Sequence, residues 1–138
     1  MRAVDDVAIN KAAVIERCIR RVREEHCGDD RRLDDITRLD SVLLNLLRAC
    51  EAAIDLAMHR VRALRLGVPQ ESREAFALLA RSGHLDVELA ATLQRMVGFR
   101  NVAVHDYQAI SLDVVYAIIA RHLDDLARFA SESVRDNP

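Results

Sequence analysis

Apolar residues return every three or four positions along this chain, and little interrupts them. Val4, Ala8, Ala12, Ile15, Ile19 and Val22 form one stripe over about five turns. Leu39, Leu43, Leu46, Cys50, Ala53, Ala57, Val61 and Leu64 form a second, with alternating spacings of four and three. That period belongs to amphipathic helices, and the near-heptad spacing of the second stripe predicts a long helix packed almost antiparallel to a neighbour. Turn-forming residues are correspondingly few. Four glycines and two prolines in 138 residues exclude an all-β sandwich or barrel.

The breaks between stripes define the elements. Gly28, Asp29 and Asp30 close the first helix. Thr37, with Asp40 three residues on, reads as a capping-box variant that opens the second. Gly67 takes the C′ place after it, and Pro69 prevents the helix from resuming. A short helix is predicted from Glu71 to Arg81, with Phe76 and Leu79 inward and Ser82-Gly83 as its stop. Asp86 is expected to cap a further helix carrying Leu89, Leu93, Met96 and Val97. Residues Asp106 to Ile110 read as a connection. Ser111 then caps a last helix with Val115, Ile118, Ile119, Leu126 and Phe129 inward, and Pro138 belongs to a frayed end. The expectation is an all-α protein: an antiparallel four-helix bundle with one additional short helix, forming a single domain over residues 1–138.

Composition narrows the partners. The chain is 51% hydrophobic and 30% charged, which fits a folded protein. Its formal net charge is −2, and among its 20 basic residues Lys11 is the single lysine. That balance excludes a polybasic nucleic-acid coat or a membrane-surface binder and leaves room only for a local arginine patch. A GC-rich genome accounts for most of the arginine excess. The longest stretch without Asp, Glu, Lys or Arg is seven residues, as in Val114 to Ala120, far short of the ~20 needed for a membrane span. Met1 to Asn10 carries Asp5 and Asp6 and no signal-peptide core. Cys18, Cys27 and Cys50 form no C-x-x-C pair, so free thiols in a reducing cytoplasm are expected.

No metal site is expected. No glutamate stands three residues before any of the five histidines, as a carboxylate-bridged di-iron bundle requires. Glu51, Asp55 and His59 share one helix face and read as a solvated charged stripe. His122 reads as a packed or partly exposed side chain. Glycine-rich phosphate loops and serine nucleophile elbows are absent.

The segment Phe99-Arg100-Asn101-Val102-Ala103-Val104-His105-Asp106-Tyr107 stands apart. It gathers groups suited to phosphodiester chemistry where a helix gives way to a loop. Arg100 can hold phosphate oxygens bidentately and stabilise transition-state charge. His105, with an ordinary pKa of about 6.5, can take or give a proton near neutrality. Asn101 can orient the imidazole or a phosphate. Asp106 reads first as a turn residue and second as a functional charge. Tyr107 on residue chemistry alone is a helix-boundary tyrosine with a buried ring and wet hydroxyl, a role also given to Tyr116.

The bare spacing is weak evidence, since Arg-x4-His arises by chance about 0.7 times in this composition. Arg21 and His26 form a second copy, read as an ordinary helix end. Requiring Asn after Arg and Tyr two after His lowers the chance to about 0.0003. Residues five apart on a helix point about 140° apart. Arg100 falls on the bundle side. Either the helix ends before His105 and the chain bends, or a second subunit completes the site.

Arg100 to Tyr107 resembles the R-x-x-x-x-H-x-Y signature of HepT-type toxins, small helical ribonucleases of the HEPN superfamily. The likeness extends to Asn10-Lys11, Ile15 to Ile19, Asp40 to Leu46, Ala49 to Ala52, Gly67 to Gln70 and Met96 to Phe99. The resemblance implies a homodimer with the motif at a cleft between subunits. It implies metal-independent RNA cleavage by Arg100 and His105, with Asn101 supporting; Asp106 joins as a supporting residue only for the charge it carries. It further implies a partner antitoxin, the minimal nucleotidyltransferase MntA. That enzyme uses ATP to place AMP on Tyr107, and the chain needs no cofactor of its own. Two rival classes stand beside this one: a non-catalytic helical partner subunit of a nucleotidyltransferase that binds nucleotide, and a purely structural dimerising bundle.

Overall fold

The computed structural model describes residues 5–135, so Val4 of the first stripe and the end at Pro138 lie outside the described residues. Helix α1 (Asp6–His26) begins where the Asp5 carboxylate accepts a hydrogen bond from the Ala8 N–H at 3.0 Å. It ends where Cys27 turns left-handed (φ 49°) ahead of Gly28 (φ 73°). Ala8, Ala12, Ile15, Ile19 and Val22 are all buried, as the stripe predicts. A 3₁₀ turn (Asp30–Asp34) leads into α2 (Ile36–Ala63), which buries Leu43, Leu46, Cys50, Ala53, Ala57 and Val61. The short α3 (Ser72–Arg81) sends Phe76 and Leu79 into the core and stops at Ser82.

Helix α4 (Val87–His105) is capped by Asp86, whose carboxylate accepts from the Leu89 N–H at 3.0 Å. A 3₁₀ turn (Tyr107–Ala109) follows, and Ser111 caps α5 (Leu112–Ala117). A π turn (Ile118–His122) joins α5 without a break to α6 (Leu123–Arg135), so residues 112–135 make one long helix. The architecture is thus four long helices and one short one, as expected. α1 packs on α2 and α6, while α3 and α4 pack on each other and on α2. The buried side chains of all these helices meet in one core, with the Phe76 and Phe129 rings edge to face at 5.6 Å.

Three local expectations are corrected. The cap of α2 is Asp35, which accepts from the Thr37 and Arg38 N–H groups at 2.8 and 3.3 Å. The helix therefore starts two residues earlier than the sequence suggests, Thr37 lies inside its first turn, and the Asp40 carboxylate is left for another partner. The left-handed residue after α2 is Arg65 (φ 57°), two positions ahead of Gly67 (φ 121°). The chain reverses before its glycine. The π turn has no counterpart in the apolar pattern and leaves Ile119 only partly buried.

The charged stripe on α2 is partly a strap. Glu51 is exposed, but Asp55 pairs with Lys11 at 3.1 Å, and His59 Nε2 lies 2.9 Å from Asp5. Both contacts tie α2 to the start of α1. His122 pairs with Asp125 through Nδ1 at 2.9 Å. At the second Arg-x4-His copy, Arg21 pairs with Glu24 and Glu25, and the nearly buried His26 binds Asp30 at 2.7 Å. That copy is structural.

Candidate functional site

The last two turns of α4 carry the motif. Phe99 and Ala103 are buried and anchor these turns to the core. With that face fixed, Arg100 falls between α2 and α3, half-buried, as its place in the stripe implies. Its Nη2 donates to Ser72 Oγ at 3.0 Å, in the first turn of α3. Its Nε is buried and has no hydrogen-bond partner. The same guanidinium lies close enough to Cys50 to pull on its thiol, although burial dominates and pushes that thiol up to about 12.

Asn101 is half-buried and His105 is exposed as the last residue of α4. The helix therefore does not end before His105, which removes the first of the two geometric routes for bringing Arg100 and His105 together. Asp106 stops the helix with φ −151°. Its N–H donates to the Val102 carbonyl at 2.8 Å, and its own carbonyl accepts from Ala109 at 2.9 Å. Its side chain caps nothing and is exposed.

Tyr107 is 50% exposed, so its ring is not the buried one that residue chemistry alone suggests. Its hydroxyl donates to Asp40 Oδ1 on α2 at 3.2 Å. Burial first, and then the Asp40 carboxylate through its hydrogen bond and charge, hold the phenol above its ordinary pKa. Tyr116 is partly buried against the core. Nothing in the sequence marks Ser72 or Asp40 as a site residue. They lie 28 and 67 residues from their partners, and no short spacing signals either contact.

Beside the motif, an apolar groove of about 410 Å³ runs along Met96, Phe99 and Val102 of α4 and Ile110, Val114 and Ile118 beyond it. Val102, Val104, Leu112 and Val114 are large apolar side chains exposed in the same region. Among the described residues, no group of three or more His, Cys, Asp or Glu side chains is placed to hold a metal ion. No helix among them is long and apolar enough to cross a membrane.

The chain is a helical bundle whose fourth helix ends in Arg100-x4-His105 with Tyr107 just beyond it, and it shares its fold with solved HEPN toxins. Residues 15–133 match the ribonuclease HepT-like family, and the chain belongs to it. The mRNA nuclease HepT of Shewanella oneidensis is 45% identical over 126 residues, which cover 91% of this chain and 95% of the relative. A tri-AMPylated Shewanella oneidensis HEPN toxin, solved in complex with its MNT antitoxin, matches with a TM-score of 0.86 at 46% identity. That match covers 93% of this chain and 96% of the toxin. A toxin–antitoxin complex with AMP-PNP matches equally well, with a TM-score of 0.86 at 43% identity over 94% of this chain and 98% of the other.

Proposed function

We propose that this chain is the ribonuclease toxin of a toxin–antitoxin pair, and that a nucleotidyltransferase antitoxin silences it by placing AMP on Tyr107. The observation that carries the reading is the Arg100-x4-His105-x-Tyr107 constellation at the open end of α4, in a chain of the HepT-like family. RNA brings its own nucleophile, the 2′-hydroxyl. His105, exposed at the helix end, takes or returns the proton, and Arg100 neutralises charge on the phosphate. These two groups supply what the reaction needs, so the cleavage is assigned as metal-independent. Asn101 orients the imidazole or the phosphate, and Asp106 supplies a supporting charge. A cytoplasmic location is part of this reading, since an RNA substrate and an ATP-using antitoxin partner fit that compartment.

The site is assigned to a homodimer. On an unbroken helix Arg100 and His105 diverge by about 140°, so a two-fold copy is needed to face one motif with the other. The exposed Val102, Val104, Leu112 and Val114 beside the motif are the surface for that copy to cover. AMP on Tyr107 adds a phosphate charge and a nucleoside to the same cleft, where both oppose RNA.

The test uses purified protein, RNA and the partner enzyme with ATP. Cleavage should persist in excess chelator and fall by about 10²–10⁴-fold in His105→Ala. The partner should add the mass of AMP to the parent protein and none to Tyr107→Phe. RNA left intact by a protein that still binds the nucleotidyltransferase favours the non-catalytic partner-subunit reading instead.

A further inference from the structure

We infer that Asp40 is the proton acceptor for the modification of Tyr107: its carboxylate takes the phenolic proton as AMP is transferred to the tyrosine oxygen. The inference rests on Tyr107 being the AMP acceptor, and it assigns a function to a residue that the ribonuclease chemistry does not use.

Three observations support it. The phenol already donates to Asp40 Oδ1 at 3.2 Å, within reach for direct proton transfer. Asp40 is exposed on α2 near the start of that helix, and Asp35 has taken over the capping of the helix. Asp40 is thus free of any structural duty at the helix end. The ring of Tyr107 is half exposed on a three-residue 3₁₀ turn, open to an incoming nucleotide. The phenol is held above its ordinary pKa by burial and by Asp40 itself, so it does not ionise unaided near neutrality. The titratable groups flanking it are His105 and Asp106 in its own segment and Asp40 across on α2.

The step balances as a nucleotidyl transfer. Tyr107 Oη attacks the α-phosphorus of a nucleoside triphosphate, and a new O–P bond forms. The bond from that phosphorus to the bridging oxygen breaks, and pyrophosphate leaves. The phenolic O–H bond breaks, and its proton passes to Asp40 Oδ1 and on to solvent. The product tyrosine ester has no proton to donate, so the Tyr107–Asp40 hydrogen bond cannot re-form after transfer.

The experiment measures AMP incorporation from ATP by the partner nucleotidyltransferase into the full-length parent and into Asp40→Asn, between about pH 6.5 and 9. Asparagine keeps the shape and an acceptor oxygen but cannot take the proton. The variant-to-parent rate ratio cancels the partner's own pH dependence. It should lie well below one near neutrality and climb by about tenfold per pH unit, because the variant must wait for phenolate. Asp40→Glu should restore most of the rate and the flat ratio, whereas a merely structural loss would lower the rate equally at every pH. A ratio that does not change with pH overturns the assignment and moves the proton to His105 or to the partner. Parent protein that gains no AMP at all overturns both this inference and the proposed silencing. Parent protein modified normally with a flat ratio overturns only the role of Asp40.

Discussion

Arg100 and His105 lie five residues apart on one unbroken helix and face directions about 140° apart. Arg100 is half-buried against Ser72, and His105 is exposed at the helix end. One chain therefore offers the two side chains proposed to act on RNA to different sides of α4. If the cleft is shared by two subunits, inactive variants should complement each other. Mixing Arg100→Ala with His105→Ala under conditions of subunit exchange should restore about a quarter of parental RNA cleavage, since half of the dimers carry one intact site of two. No recovery after verified exchange would contradict a shared site.

The Asp35 cap supports the longest helix. Replacing Asp35 by Ala leaves the Thr37 and Arg38 N–H groups without their acceptor and should cost about 1 kcal/mol in urea unfolding. Thr37→Ala should change stability by much less. The reverse order would restore the cap to Thr37.

Acid should loosen the strap between α1 and α2. Burial works against the Asp5 carboxylate, but bonds from the Ala8 N–H and from His59 outweigh it and hold Asp5 below its ordinary pKa. A carboxyl with a depressed folded pKa stabilises the protein above its unfolded pKa, and that contribution disappears as pH falls through the folded value. The parent should therefore lose stability on acidification below about pH 4 more steeply than Asp5→Asn does. Parallel acid limbs in the two proteins would show that the strap contributes nothing.

The three cysteines should divide sharply in reactivity. Burial raises Cys18 and pushes Cys50 up to about 12, and both lie in the core, whereas Cys27 is exposed at the end of α1. A neutral-pH alkylating agent should label one thiol, at Cys27, and reach the other two only on unfolding. Rapid labelling of three thiols in the native protein would contradict this packing.

Where the structure follows the sequence and where it departs from it has a physical pattern. Periodicity predicts the buried faces of α1, α2 and α4, with only the ends of the α2 stripe, Leu39 and Leu64, left partly buried, because one core demands one stripe per helix. The caps at Asp86 and Ser111 are predicted because each polar residue stands directly before an apolar run. Asp35 escapes because it sits in a charged run, Asp29 to Asp35, where four of seven residues are aspartates and each is a candidate cap. Arg65 escapes because a non-glycine is not expected at the left-handed position, yet here the Leu66 N–H to Val61 carbonyl bond at 3.0 Å and the Arg65 N–H to Arg62 carbonyl bond at 3.2 Å close the helix end ahead of Gly67. The π turn, Ile118 to His122, begins in apolar sequence and runs into Arg121 and His122, and nothing local in that stretch marks it. At the site, the divergence of Arg100 and His105 follows from helix geometry alone. The Ser72 and Asp40 contacts do not, because they depend on how α2 and α3 pack around α4.

RNA cleavage by the α4 motif is the activity on which every other assignment at this site depends. The most direct measurement compares RNA cleavage by the purified parent, Arg100→Ala and His105→Ala in the absence of the partner enzyme. The parent should cleave RNA in chelator, and each variant should lose at least about a hundredfold while remaining folded by circular dichroism. Cleavage that continues undiminished in His105→Ala would contradict this assignment.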